Sequence, residues 1–122
     1  MNYRIAKFEE LTPSTLPFVE GKLEGHKERK NYSIVGPGVA EDSGQTVKIS
    51  KPHSFNLGAV SAMPKNGSGL HSHTTAEVFL IYSGSWKFYW GASGKNEVIL
   101  NPGDIISMPT NMFRGFENAG KD

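Results

Sequence analysis

Fourteen glycines and seven prolines punctuate this chain, and that punctuation constrains its fold more than any other feature. A helical bundle tolerates few such residues, because an interior glycine costs a helix about 1 kcal/mol and an interior proline about 3 kcal/mol. Short strands joined by tight turns accommodate them readily. From Gln45 onward the segments between breakers read as strands. QTVKIS alternates, with Val47 and Ile49 on one face, and SFNLGAVSAM places Phe55, Leu57, Ala59 and Ser61 together. PKNGSG is a loop. AEVFLIY ends at Ser83-Gly84 and SWKFYW follows almost at once, so the two are expected to form a hairpin. Turns follow at Gly91–Lys95 and at Asn101-Pro102-Gly103-Asp104. EVIL, IISM and FRGFEN supply the remaining strands. The expected fold is all-β, a small antiparallel barrel or sandwich.

The N-terminal 40 residues are less regular. Thr12-Pro13 is expected to open a short helical turn, with Thr12 as cap and Pro13 at the first helical position. EGKLEGHKERK, from Glu20 to Lys30, reads as a solvated surface loop, and its His26 is not expected to bind a metal. Pro37 between Gly36 and Gly38 marks a turn. At 122 residues one domain is expected, divided into an arm over 1–40 and a barrel over 41–122.

Several functional classes are excluded. Thirteen Lys and Arg against 12 Asp and Glu leave a formal charge of +1, without the basic excess of a nucleic-acid binder. No apolar run approaches the roughly 20 residues of a membrane span. The N-terminus MNYRIAKFEE has no apolar signal stretch, so a cytoplasmic location is expected. With no cysteine, disulfides, thiolate metal sites and cysteine nucleophiles are absent. Ser68 and Ser72 lie near histidines, but nothing specifies a base, an orienting group and an oxyanion hole for either.

The informative stretch is LHSHTTAEVFLIYSG, Leu70 to Gly84. On a strand, His71 and His73 project to the same side, close enough to share one divalent cation. Glu77 has the same parity. Two imidazoles and a carboxylate form a three-ligand set with open positions, suited to Fe, Mn, Ni, Zn or Co. Phe79 and Ile81 share the parity of Glu77 and are expected to face the interior. Trp86, Phe88 and Trp90 share one face of the next strand, and Lys87 and Tyr89 the other. Met108 and Phe113 are expected to narrow the mouth. The candidate substrate-binding residues are therefore Phe79, Ile81, Trp86, Phe88, Met108 and Phe113.

The stretch His71-x-His73-x3-Glu77-x6-Gly84 resembles the first motif of the cupin superfamily, and Gly103-x5-Pro109 followed by Asn118 resembles the second. The resemblance covers about residues 55–118. It implies a double-stranded β-helix of jelly-roll type, a divalent metal on His71, His73 and Glu77, and a homodimer. Members usually continue past the second motif with another strand. The barrel is therefore expected to be incomplete at its C-terminus, the chain being a fragment or the N-terminal segment or a partner supplying the strand.

The chain departs from the family pattern at three positions. Lys65 stands where the first motif usually has a glycine, and Asn111 where the second usually has one. Arg114 stands where the second motif usually carries a fourth ligand, a histidine. Arginine is always protonated and cannot ligate a cation. Three readings follow: Arg114 as a catalytic residue holding an anionic group beside a retained metal, Arg114 paired with Glu77 at the expense of metal affinity, or Arg114 turned outward. His53 is a further candidate ligand, though its position after Lys51-Pro52 suits a strand end at the surface. Asp104 and Asn118 are read as structural. The expected function is a metal-dependent cupin oxidoreductase of dioxygenase type acting on a small anionic or aromatic molecule. The alternatives are a non-catalytic or sensory small-molecule-binding cupin without tightly bound metal, and a storage or interaction barrel.

Overall fold

The computed structural model describes residues 1–14, 29–36 and 46–122. His26 and most of the charged loop lie outside the described residues, as does the chain from Pro37 to Gln45. Nine strands follow in order: β1 (Arg29–Val35), β2 (Val47–Ile49), β3 (Leu57–Ala62), β4 (Gly67–His71), β5 (Glu77–Leu80), β6 (Trp86–Trp90), β7 (Asn96–Leu100), β8 (Ile105–Met108) and β9 (Arg114–Asn118). The helical content among the described residues is two single 3-10 turns, Asn2–Arg4 and Phe8–Glu10. Thr12 and Pro13 are not helical; they lead into a bridge between Ser14 and Asn31.

The strands form three sheets, ordered β2-β1-β3, β4-β9-β6-β7 and β5-β8. All named pairs are antiparallel except β1–β2, which is parallel. The all-β jelly-roll expectation holds. β1, although within residues 1–40, pairs with β3 from Arg29–Ala62 to Val35–Leu57.

The expected hairpin of AEVFLIY with SWKFYW does not form. β5 pairs with β8, whereas β6 sits between β7 and β9. Beyond β5, Ile81 N–H donates to Asp104 O at 3.0 Å and Gly103 N–H donates to Ile81 O at 2.9 Å. With those groups taken, the Ser83-Gly84 turn carries the chain from one sheet into another. The Gly91–Lys95 turn does close a hairpin, joining β6 to β7.

The core is built from the faces that alternation predicts. Ile81, Phe88, Met108 and Phe116 are buried together, with Phe79, Trp86, Trp90, Val98 and Ile106 packed around them. Phe79 and Phe116 both stack obliquely on Phe88, at 5.1 and 6.1 Å between centroids, distances at which aromatic pairs attract. On the opposite face Lys87 pairs with Glu117 at 3.4 Å. On and just before β3, Phe55 and Leu57 are exposed and Ala59 is half-buried.

Among the described residues, two that are not glycine have a left-handed backbone: Lys65 (φ 68°) and Asn111 (φ 62°). Both stand where the motifs usually carry glycine. Asparagine tolerates this region, whereas lysine adopts it at a cost. Lys65 is held there by its N–H donating to Asn118 O at 2.9 Å. Lys65→Gly is expected to raise stability by about 1 kcal/mol, since it relieves a left-handed penalty of about that size. Denaturant unfolding checks this, and an unchanged or lower midpoint contradicts it.

Candidate metal centre

β4 ends at His71, and Glu77 opens β5. His73 lies in the loop between them, so the two histidines do not share a strand face as expected; the loop brings His73 back. Between Ser68–Phe116 and His71–Arg114, β4 spends three residues against two of β9. Such a bulge bends the strand and re-aims its side chains. Ser68 is buried beside it, with Phe116 N–H donating to Ser68 Oγ at 3.2 Å, a structural task that uses its hydroxyl.

The result is a compact cluster. One ligand atom from each of His71, His73 and Glu77 lies within 4.8 Å of the others. The two imidazole rings meet edge to face at 4.7 Å. His73 Nε2 is 3.6 Å from Glu77 Oε1. His71 Nδ1 is 2.8 Å from Gly69 O. A carbonyl oxygen only accepts, so Nδ1 carries the proton, and in the neutral ring Nε2 keeps its lone pair. This is the tautomer-fixing contact that metal-bound imidazoles characteristically make. By donor chemistry and by proximity, the three residues fit a divalent ion.

Arg114 closes the cluster. It lies on β9 between β4 and β6, opposite His71 on one side and Trp90 on the other, and it is 1% exposed. Its Nη1 donates to Glu77 Oε1 at 2.5 Å and its Nε donates to Met112 O at 2.6 Å. Its Nη2 donates to Pro109 O. The outward orientation is therefore not adopted, and the geometry is that of the Glu77 pairing. The neighbouring turn is also tied to the site, since Asn111 N–H donates to His73 O at 2.7 Å. The carbonyls of Gly69, Pro109 and Met112 were not among the sequence candidates. Backbone acceptors leave no mark in residue type; the only sequence sign was Asn111, whose left-handed backbone shapes that turn.

Burial, above all, holds the His73 imidazole below its ordinary value; Glu77 opposes this, while His71 and Arg114 reinforce it. The folded chain thus takes up the His73 proton at lower pH than the unfolded chain, which protonates near 6.5. The stability this contributes is complete above about pH 6.5 and is lost as pH falls toward the folded value. Metal-free protein unfolded in guanidinium at pH 8 and at pH 5 is expected to lose more stability on acidification than His73→Gln. Equal losses contradict this.

The remaining sequence candidates fall elsewhere. Phe79, Ile81, Trp86 and Phe88 belong to or pack against the core, and Trp86 Nε1–H donates to Ser83 O at 3.0 Å. Met108 is buried and opposes Glu77 across β5–β8. Phe113 is 48% exposed. His53 is exposed, its Nδ1 against Lys51 O at 2.8 Å, and it is not part of the cluster. Asp104 Oδ2 accepts from Asn101 N–H at 2.8 Å within its turn. Asn118 is buried and donates to Ala62 O at 2.7 Å. Both are structural, as expected.

A family model described as Cupin domain matches residues 59–122, the segment that carries the whole cluster and Arg114. No curated protein matches the chain. No described helix is long and apolar enough to cross a membrane.

Proposed function

The chain belongs to the cupin family, and from that premise we propose that it is a metal-binding cupin acting on a small organic molecule. The observation that carries this reading is the His71-His73-Glu77 cluster with the proton of His71 fixed on Nδ1 by Gly69 O. A divalent ion bound there would supply Lewis-acid or redox chemistry. His71 and His73 would offer neutral nitrogens and Glu77 an oxygen. Arg114 would hold Glu77 in place and keep a fixed positive charge beside the site. Three protein ligands leave positions for a substrate and for oxygen, so the reaction class proposed first is dioxygenase-type oxidation. Phe113, exposed near the second motif, is the candidate contact for an apolar part of the substrate.

A second reading is favoured by one observation. Glu77 Oε1 already has a cation at 2.5 Å, and a guanidinium and a divalent ion repel each other in a cavity of low dielectric. In this reading the protein binds an organic ligand without tightly held metal. Metal titration of protein purified without chelator separates the two, one divalent ion per chain being expected at saturation. Finding none, with none taken up on addition, removes the metal reading. Arg114→His deletes the cation and adds an imidazole, and it is expected to tighten metal binding about 10-fold or more. Affinity unchanged in that variant contradicts the proposed place of Arg114.

Homodimerisation in the cytoplasm belongs to the same proposal. Its support is the outer face of β5–β8, where Val78, Leu80, Tyr82 and Ile105 are all exposed, because apolar runs on both faces usually mark a strand covered on both sides. Light scattering that gives a monomer across a wide concentration range contradicts it.

A further inference from the structure

We infer that the divalent ion and a small dianionic ligand bind this site cooperatively, each weakly without the other, because Arg114 cancels the charge of Glu77. The inference rests on the metal reading above. A set of two imidazoles and one carboxylate normally offers an ion one negative charge. Here that charge is already met: Glu77 Oε1 is the acceptor for Arg114 Nη1 at 2.5 Å, and Arg114 is buried and always protonated. With neutral imidazoles, the ligand set presents the ion with no net charge. A bound divalent ion would leave an excess of two positive charges in a partly buried site.

The excess cannot be relieved by swinging Arg114 away. Nε is held by Met112 O and Nη2 by Pro109 O, so the guanidinium is pinned on three sides by its own turn and by Glu77. Among the described residues, no other carboxylate joins the cluster. With no described side chain to supply it, the compensating charge is assigned to the ligand. A dianion able to occupy the open positions, such as a dicarboxylate, supplies it. Binding free energies are reciprocal, so the ion strengthens the dianion by the same factor as the dianion strengthens the ion.

The test uses wild-type protein freed of metal, Mn²⁺, malonate as the dianion and malonamide as its neutral counterpart. Equilibrium dialysis at fixed free Mn²⁺ measures the bound ion. Malonate is expected to tighten Mn²⁺ binding about 10-fold or more, and malonamide to leave it unchanged. His71→Ala is expected to abolish binding under both conditions. Mn²⁺ bound equally well with and without malonate, or malonamide as effective as malonate, overturns the coupling and leaves the metal reading intact. No Mn²⁺ bound under any condition overturns the metal reading itself. Arg114→Met, where it folds, is expected to bind Mn²⁺ more tightly without malonate and to gain less from it.

Discussion

Arg114→Ala is expected to cost about 3 kcal/mol of folding stability and to lower Tm by about 10 °C. The side chain is fully buried and donates to three acceptors on two parts of the chain: Glu77 at the start of β5, and Pro109 and Met112 in the turn before β9. Removing it leaves a carboxylate and two carbonyls without their donor, and losing one partner of a buried ion pair typically costs 3–5 kcal/mol. The lower end applies because Glu77 retains 21% side-chain exposure, through which water can reach it. Arg114→Lys is expected to recover little of the loss. A single ammonium cannot reach three divergent acceptors as a planar guanidinium does. Thermal or guanidinium unfolding of the metal-free proteins measures this. A loss below about 0.5 kcal/mol, the scale of an ordinary surface substitution, contradicts the assignment of Arg114 as the clamp of the site.

His71→Ala and His73→Ala are each expected to weaken divalent-metal binding about 100-fold or more, with little effect on folding. Both rings are only partly buried, and neither anchors the core. Loss of a partner that merely orients a ligand costs 10–100-fold, and loss of the ligand itself costs at least as much. Stability and metal binding should therefore separate: the Arg114 variant loses the first, the histidine variants the second. Calorimetric titration with Mn²⁺ in the presence of malonate checks the affinity, and unfolding midpoints check the stability. If either histidine can be removed without weakening the ion, the cluster is incidental.

Much of this site is written in residue type and spacing. His71, His73 and Glu77 are legible because two imidazoles and a carboxylate so close in sequence, at the end of β4, in the loop after it and at the start of β5, have little room to separate. The expected reason was partly wrong, since His73 sits in a loop and reaches the cluster through chain reversal, not strand parity. The fold class is legible because breakers fix where strands end and alternation fixes which face is inward, as Phe79, Ile81 and Phe88 illustrate. Strand partners were less so. AEVFLIY and SWKFYW look like a hairpin from their short spacer, yet β5 finds β8 and β6 finds β7 and β9. Pairing depends on contacts distant in sequence, which local pattern does not carry. Arg114 was visible as a departure, but its partners include two backbone carbonyls that any residues could have supplied. Lys65 and Asn111 show the converse. Both keep a left-handed backbone without glycine, so the turn geometry outlasts the residue usually chosen for it.

The central claim is that His71, His73 and Glu77 hold one divalent ion beside a fixed Arg114. Anomalous scattering from crystals grown with Mn²⁺ and malonate tests it most directly. The account predicts one anomalous peak per chain, within ligand distance of both imidazoles and the Glu77 carboxylate, with Arg114 still bonded to Glu77, Pro109 and Met112. A crystal with no peak there, or with the ion bound at other residues, contradicts it.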